Sequence, residues 1–119
     1  MSNEDTLQEN DYSESDDLLE TDLEFIKTLQ MFFVKNYKNL FADIKKLLDT
    51  GEISAAHRLV HSLKGNAGQI ERADLQKAAV DVERSLRDGK NNVTEDLLIT
   101  LETELNTVLK ELAALNETK

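Results

Sequence analysis

The chain has 119 residues and a formal charge of −10, with no proline, cysteine or tryptophan, 39% hydrophobic residues and 32% charged ones. A chain of this length buries one modest core, so one small soluble domain is expected, and without cysteine it can hold neither a disulfide nor a thiolate metal or redox site. No apolar run approaches the roughly 18 residues a membrane span needs and no signal-peptide pattern is seen, so a cytoplasmic protein with no membrane insertion is expected.

The charge is unevenly spread. Residues 1–24 carry ten acids and no Lys or Arg, whereas residues 25–119 carry fourteen charges of each sign. A neutral body with an acidic arm offers no footprint for a phosphate backbone, which sets nucleic acid aside as a partner. In residues 1–21 the apolar residues are too sparse to make a core face, and a flexible acidic extension is expected there, followed by one domain over 22–119.

From Asp22 onward apolar residues recur at intervals of three and four, and nowhere alternate over a strand's length, so the fold class is all-α. The first predicted helix spans Asp22 to Lys35, with Leu23, Ile26, Leu29 and Phe33 on one stripe. The second spans Tyr37 to Asp49, turns Leu40, Phe41, Ile44, Leu47 and Leu48 inward, and ends at Gly51, which suits a left-handed cap. A third runs from Ile53 to about Ile70, burying Ile53, Ala56, Val60, Leu63 and Ala67. A fourth, Ala73 to Asp88, buries Leu75, Ala78, Ala79, Val82 and Leu86 and stops at Gly89. The last begins after Asn92, whose side chain can cap while Glu95 reaches back, and buries Leu97, Leu98, Leu101, Leu105, Val108, Leu112 and Leu115. Short connections make consecutive helices antiparallel neighbours. The expected architecture is an up-and-down antiparallel four-helix bundle with an additional N-terminal helix.

Gly65 and Gly68 stand inside the third predicted helix, where each costs about 1 kcal/mol relative to alanine. Helix stability did not select them. A side chain at 65 would lean over the turn that carries His61. The face opposite the core stripe then reads His57, His61, Lys64, Gly65 and Gly68: an imidazole with a cation one turn away and nothing crowding the space between. Close helix packing alone would account for the glycines but not for the histidine and lysine beside them.

The run Leu59-Val60-His61-Ser62-Leu63-Lys64-Gly65, followed by Gly68 and Ile70, resembles the signature of histidine-containing phosphotransfer (HPt) domains, and the wider resemblance covers about residues 22–115. One departure is Glu71, where the family usually has glycine; it bears on the turn between the third and fourth helices rather than on the chemistry.

The resemblance implies a phosphorelay intermediate: His61 would accept a phosphoryl group from the aspartyl phosphate of one receiver domain and pass it to another. Histidine suits this role because near neutrality much of it is the free base, able to attack phosphorus. Nε2 is the expected nucleophile if Nδ1 is engaged from behind. The fourth helix offers Glu83 for that purpose; the family commonly has Glu or Gln touching the histidine at this position, so Glu83 looks like the orienting partner. Its other reading is an i,i+4 pair with Arg87. Lys64 would place positive charge on the phosphoryl oxygens, since phosphoryl transfer is chiefly alignment and charge stabilisation. Gly65 would leave room for the phosphoryl group and Gly68 would let the partner's backbone approach.

His57 could pair with His61 around a metal, but no further His or Cys supplies another ligand, so no metal site is expected and His57 is placed at the rim of the docking face. Arg58, Gln69 and Arg72 are expected in the same rim, with parts of the first helix such as Phe25, Met31 or Phe32. No cofactor is expected in this chain; Mg²⁺ belongs to the receiver. With no nucleotide-binding loop the chain should have no kinase activity of its own. The expected partners are response-regulator receiver domains or a sensor histidine kinase, with a monomer as the default. Two other readings are the phosphoryl-accepting P1-like domain of a chemotaxis-type histidine kinase and a noncatalytic helical adaptor.

Overall fold

A computed structural model describes the backbone of residues 15–117 and the side chains of residues 23–115. Among these residues every regular element is helical: α1 (Ser15–Tyr37), α2 (Leu40–Asp49), α3 (Ile53–Gln69), α4 (Ala73–Ser85), one 3-10 turn at Arg87–Gly89, and α5 (Glu95–Glu117). α1 begins ahead of the expected Asp22, so the expected extension is helical from Ser15; its remainder, residues 1–14, lies outside the described residues. α3 packs against α2 and α4, α4 also against α5, and α1 against α5 and α2. The core is built from hydrophobic side chains, Tyr37 among them, and no charged side chain is buried among the described residues.

α3 follows its hydrophobic period closely. Ala56, Val60, Leu63 and Ala67 are all fully buried and Ile53 is half-buried, which turns the opposite face of the helix outward. Small residues on both sides, Ala56 and Ala67 on α3 with Ala78 and Ala79 on α4, let two adjacent helices approach closely.

Several expected boundaries and burials differ. Tyr37 is the last residue of α1 rather than the first of the second helix, and it packs on Phe33 with ring centroids 4.6 Å apart. On α1 only Phe33 of the expected stripe reaches the core; Leu29 is half-buried, while Leu23 and Ile26 are exposed. A helical stripe is buried only as far as another helix covers it. Leu115 near the end of α5 is exposed for the same reason. α4 stops at Ser85 instead of Asp88, because Asp88 takes a left-handed φ of 62° and the chain turns there. α5 is capped by Thr94, whose hydroxyl accepts the Leu97 N–H at 3.2 Å. Asn92, the expected cap, instead uses its backbone N–H to donate to the Ser85 carbonyl.

Two helices end in the same motif with different residues. After α2, the Gly51 N–H donates to the Leu48 carbonyl and the Glu52 N–H to the Leu47 carbonyl, with Gly51 at φ 80°. After α3, the Glu71 N–H donates to the Gly68 carbonyl and the Arg72 N–H to the Ala67 carbonyl, with Glu71 at φ 60°. Both are Schellman caps. The first has the glycine that the left-handed position favours, and the second holds a side chain there at a cost of about 1–2 kcal/mol. The turn therefore keeps its shape without glycine, and α3 enters α4 in a fixed register.

Candidate functional site

The outward face of α3 and the adjoining edge of α4 meet at one carboxylate. Glu83, whose side chain is 15% exposed, projects from α4 next to buried Val82 and is reached by three side chains of α3. His61 Nδ1 lies 2.6 Å from Glu83 Oε2. Lys64 Nζ lies 2.9 Å from Oε1. His57 Nε2 stands 3.8 Å from Oε2, too far for a hydrogen bond but within ion-pair reach. The imidazoles of His57 and His61 are stacked one turn apart, with centroids 6.5 Å apart and planes 12° from parallel.

This arrangement fixes the chemistry of His61. A carboxylate only accepts hydrogen bonds, so Nδ1 carries the proton and donates it to Glu83, and Nε2 of the neutral ring holds the free lone pair. The His61 side chain is 63% exposed and its Nε2 has no partner among the described residues. Burial raises the pKa of Glu83, but the hydrogen bonds from Lys64 and His61, and then their charges, outweigh it and hold the carboxyl below the usual 4.5. The carboxylate is therefore ionised across the neutral range, and the acceptor behind the ring is permanent there.

Of the glycines, Gly65 is exposed, and a Cβ built on it would meet nothing within 4 Å. Gly68, expected to lie open to a partner, instead faces α4. A Cβ there would stand 2.5 Å from Gln76 Nε2, whose amide reaches the Lys64 carbonyl at 3.4 Å. Its missing side chain makes room for Gln76 of the same molecule.

The expected rim divides. Arg58 is exposed beside His57 and Asp88. Gln69 is exposed and lines a small hollow with Phe32, Asn66 and Ile70, which places Phe32 of α1 against the C-terminal half of α3. Phe25 and Met31 are also exposed but do not line that hollow. Arg72 is committed elsewhere: it pairs with Glu111 and ties the α3–α4 turn to α5. His57 belongs less to the rim than to the carboxylate cluster. The expected alternative for Glu83, a pair with Arg87, is absent from the ion pairs among the described residues, because α4 ends before Arg87 and Glu83 turns to α3. Asn66 was not singled out from the sequence; its amide donates to the buried Tyr37 hydroxyl, and its place between His61 and Gln69 was the only signal.

The family model of the Hpt domain matches residues 27–114. The chain belongs to the Hpt domain family. No solved structure matches it. Hpt domains carry out histidine phosphotransfer in two-component signalling, and the helical build of this chain agrees with that family. The match ends at both sides within the described residues, leaving the N-terminal half of α1 outside it. No helix among the described residues is long and apolar enough to cross a membrane.

Proposed function

We propose that His61 is the phosphoacceptor of this Hpt domain and that it relays a phosphoryl group between receiver domains, from the aspartyl phosphate of one to the aspartate of another. The observation that carries this reading is an exposed imidazole whose inner nitrogen is held at 2.6 Å by an ionised carboxylate. The Nε2 lone pair attacks phosphorus, the bond from phosphorus to the aspartyl oxygen breaks, and the aspartate leaves as a carboxylate. The proton on Nδ1 stays in place, and the positive charge gained by the ring faces Glu83. The reverse step delivers the phosphoryl group to the next receiver.

In this reading Glu83 orients the ring and stabilises its charge, and Lys64 has two roles. At rest it neutralises Oε1 of Glu83. During transfer it turns to the phosphoryl oxygens, a short displacement for a side chain anchored one turn away. Gly65 leaves the approach to Nε2 open. Phe32 and Gln69 form one flank of the docking face, and Arg58 the other. The Mg²⁺ that transfer requires is held by the receiver's carboxylates. The protein acts in the cytoplasm as a monomer, with α2–α5 as an up-and-down bundle and α1 as the additional helix.

The test is incubation with a receiver phosphorylated at its aspartate, expecting an acid-labile, base-stable phosphate on this chain. His61→Gln should abolish the label with unchanged helical circular dichroism. A label that survives this substitution refutes the assignment.

A further inference from the structure

An orienting carboxylate carries a chemical penalty that the site must offset. A carboxylate at Nδ1 stabilises positive charge on an imidazole whether that charge arrives with phosphorus or with a proton on Nε2, and a protonated Nε2 cannot attack phosphorus. Lys64 offsets part of this through Oε1. The oxygen that faces His61 has a second neighbour, the His57 imidazole at 3.8 Å.

We propose that His57 is a positioning residue that shares Oε2 of Glu83 with His61 and, in its protonated form, keeps the phosphoacceptor ring unprotonated. This rests on the reading of His61 as the phosphoacceptor. Three observations carry it. His57 Nε2 lies 3.8 Å from the very oxygen that accepts from His61 Nδ1, so both rings are within ion-pair reach of one carboxylate oxygen. The rings are stacked at 6.5 Å, so a proton on one repels a proton on the other. The His57 side chain is 33% exposed, so it still exchanges protons with water.

The surroundings of His57 do not duplicate this function. On its own helix it faces Arg58, His61 and Lys64; α4 presents Glu83 and Arg84, and the 3-10 turn presents Arg87 and Asp88. The arginines are charged at every relevant pH. Glu83 is ionised across the neutral range. His57 is the second imidazole beside the phosphoacceptor, and imidazole is the side chain whose charge ordinarily changes near neutrality. As pH falls, the charge it gains opposes the protonation that would silence Nε2. Two histidines one turn apart thus widen the pH range over which the carrier accepts phosphate.

The experiment compares the wild-type chain with His57→Gln and His57→Lys. For each, transfer from one phosphorylated receiver is measured from pH 5 to 8.5, and the His61 ring is titrated by NMR without any donor. Ratios between variants at each pH cancel the receiver's own titration. Even at the dielectric of bulk water, a charge 6.5 Å away is worth about half a pH unit. In His57→Gln the acid limb should move up by that amount, lowering transfer roughly threefold at a pH on the limb, and the His61 resonances should titrate at correspondingly higher pH. Above pH 8 the variant should match the wild type. His57→Lys, charged throughout, should keep the limb at or below its wild-type position. Superposed profiles and titrations in folded His57→Gln would overturn the proposal, and so would an equal loss at every pH, the mark of a merely structural role. Absence of any label on the wild-type chain would refute the phosphoacceptor reading instead, and the NMR titration would still decide the coupling of the two rings.

Discussion

Replacing Gly65 with alanine separates what the fold needs from what the partner needs. Gly65 sits in the interior of α3, and the added Cβ meets no atom within 4 Å. With no clash, the substitution should deliver the helix-propensity difference of about 1 kcal/mol as added stability. For a domain near 100 residues that raises the melting temperature by about 4–8 °C. Gly68→Ala is the internal control, because its Cβ falls 2.5 Å from Gln76 Nε2 and must displace that amide from the Lys64 carbonyl. It should gain less than Gly65→Ala, and the shortfall should disappear in a Gln76→Ala background. Transfer should move the opposite way. A methyl group on the approach to His61 holds the receiver off, and a misplacement near 1 Å at phosphorus costs on the order of 10²-fold. Urea denaturation and single-turnover transfer on the same preparation give both numbers. A Gly65→Ala protein that is no more stable refutes the argument that the fold leaves the position free. One that is more stable and transfers normally refutes the claim that the glycine serves the partner.

Glu71→Gly should raise stability by up to about 1 kcal/mol in urea, since it relieves a left-handed φ of 60° at an exposed position, less the chain entropy glycine adds to the unfolded state; a loss of stability would show that the Glu71 side chain contributes more than its backbone costs. The pKa of Glu83 lies below the usual 4.5 in the folded state, so its contribution to stability is complete above pH 4.5 and is lost as pH falls through the lowered value. The melting-temperature difference between wild type and Glu83→Gln should therefore shrink on acidification below pH 4.5, and a difference constant with pH would refute the assigned cause. Phe32→Ser, at a side chain 58% exposed beside Gln69, should weaken transfer from a receiver through its concentration dependence while leaving the urea midpoint nearly unchanged.

The hydrophobic period made the inside of α3 legible because each of Ala56, Val60, Leu63 and Ala67 meets a neighbouring helix along the full length of the stripe. The same rule overreached on α1. Leu23 and Ile26 continue the stripe of Phe33, but periodicity records which side of a helix is apolar and carries no information on how far its neighbour extends. Cap assignment failed for a different reason. Asn92 and Thr94 are both good caps, and what chooses between them is a contact within the connecting turn, the Asn92 N–H on the Ser85 carbonyl, which draws the chain past Asn92 before the helix can start. Likewise Asp88 interrupts α4 through a backbone conformation that its neighbour Gly89 also adopts, so glycine marked the turn but not its first residue.

The site was legible as far as a single helix could carry it. His61, Lys64 and Gly65 share a face by spacing alone, and the geometry brings Lys64 and His61 to one carboxylate. What spacing could not carry is the register between α3 and α4, and three assignments turn on it. Gly68 and Gln76 interlock, Glu83 falls level with His61, and His57 Nε2 comes within 3.8 Å of the oxygen that orients the ring. The Schellman turn at Glu71 sets that register, and small side chains on both helices let it close. A carboxylate placed by one helix against two histidines of another is thus a consequence of packing. Moving α4 by one residue would turn Glu83 about 100° away from α3 and leave an exposed histidine with nothing to fix its tautomer. The departure from glycine at position 71 therefore matters to the chemistry only through the turn. Because the turn is kept despite its cost, the distances at His61 are kept with it.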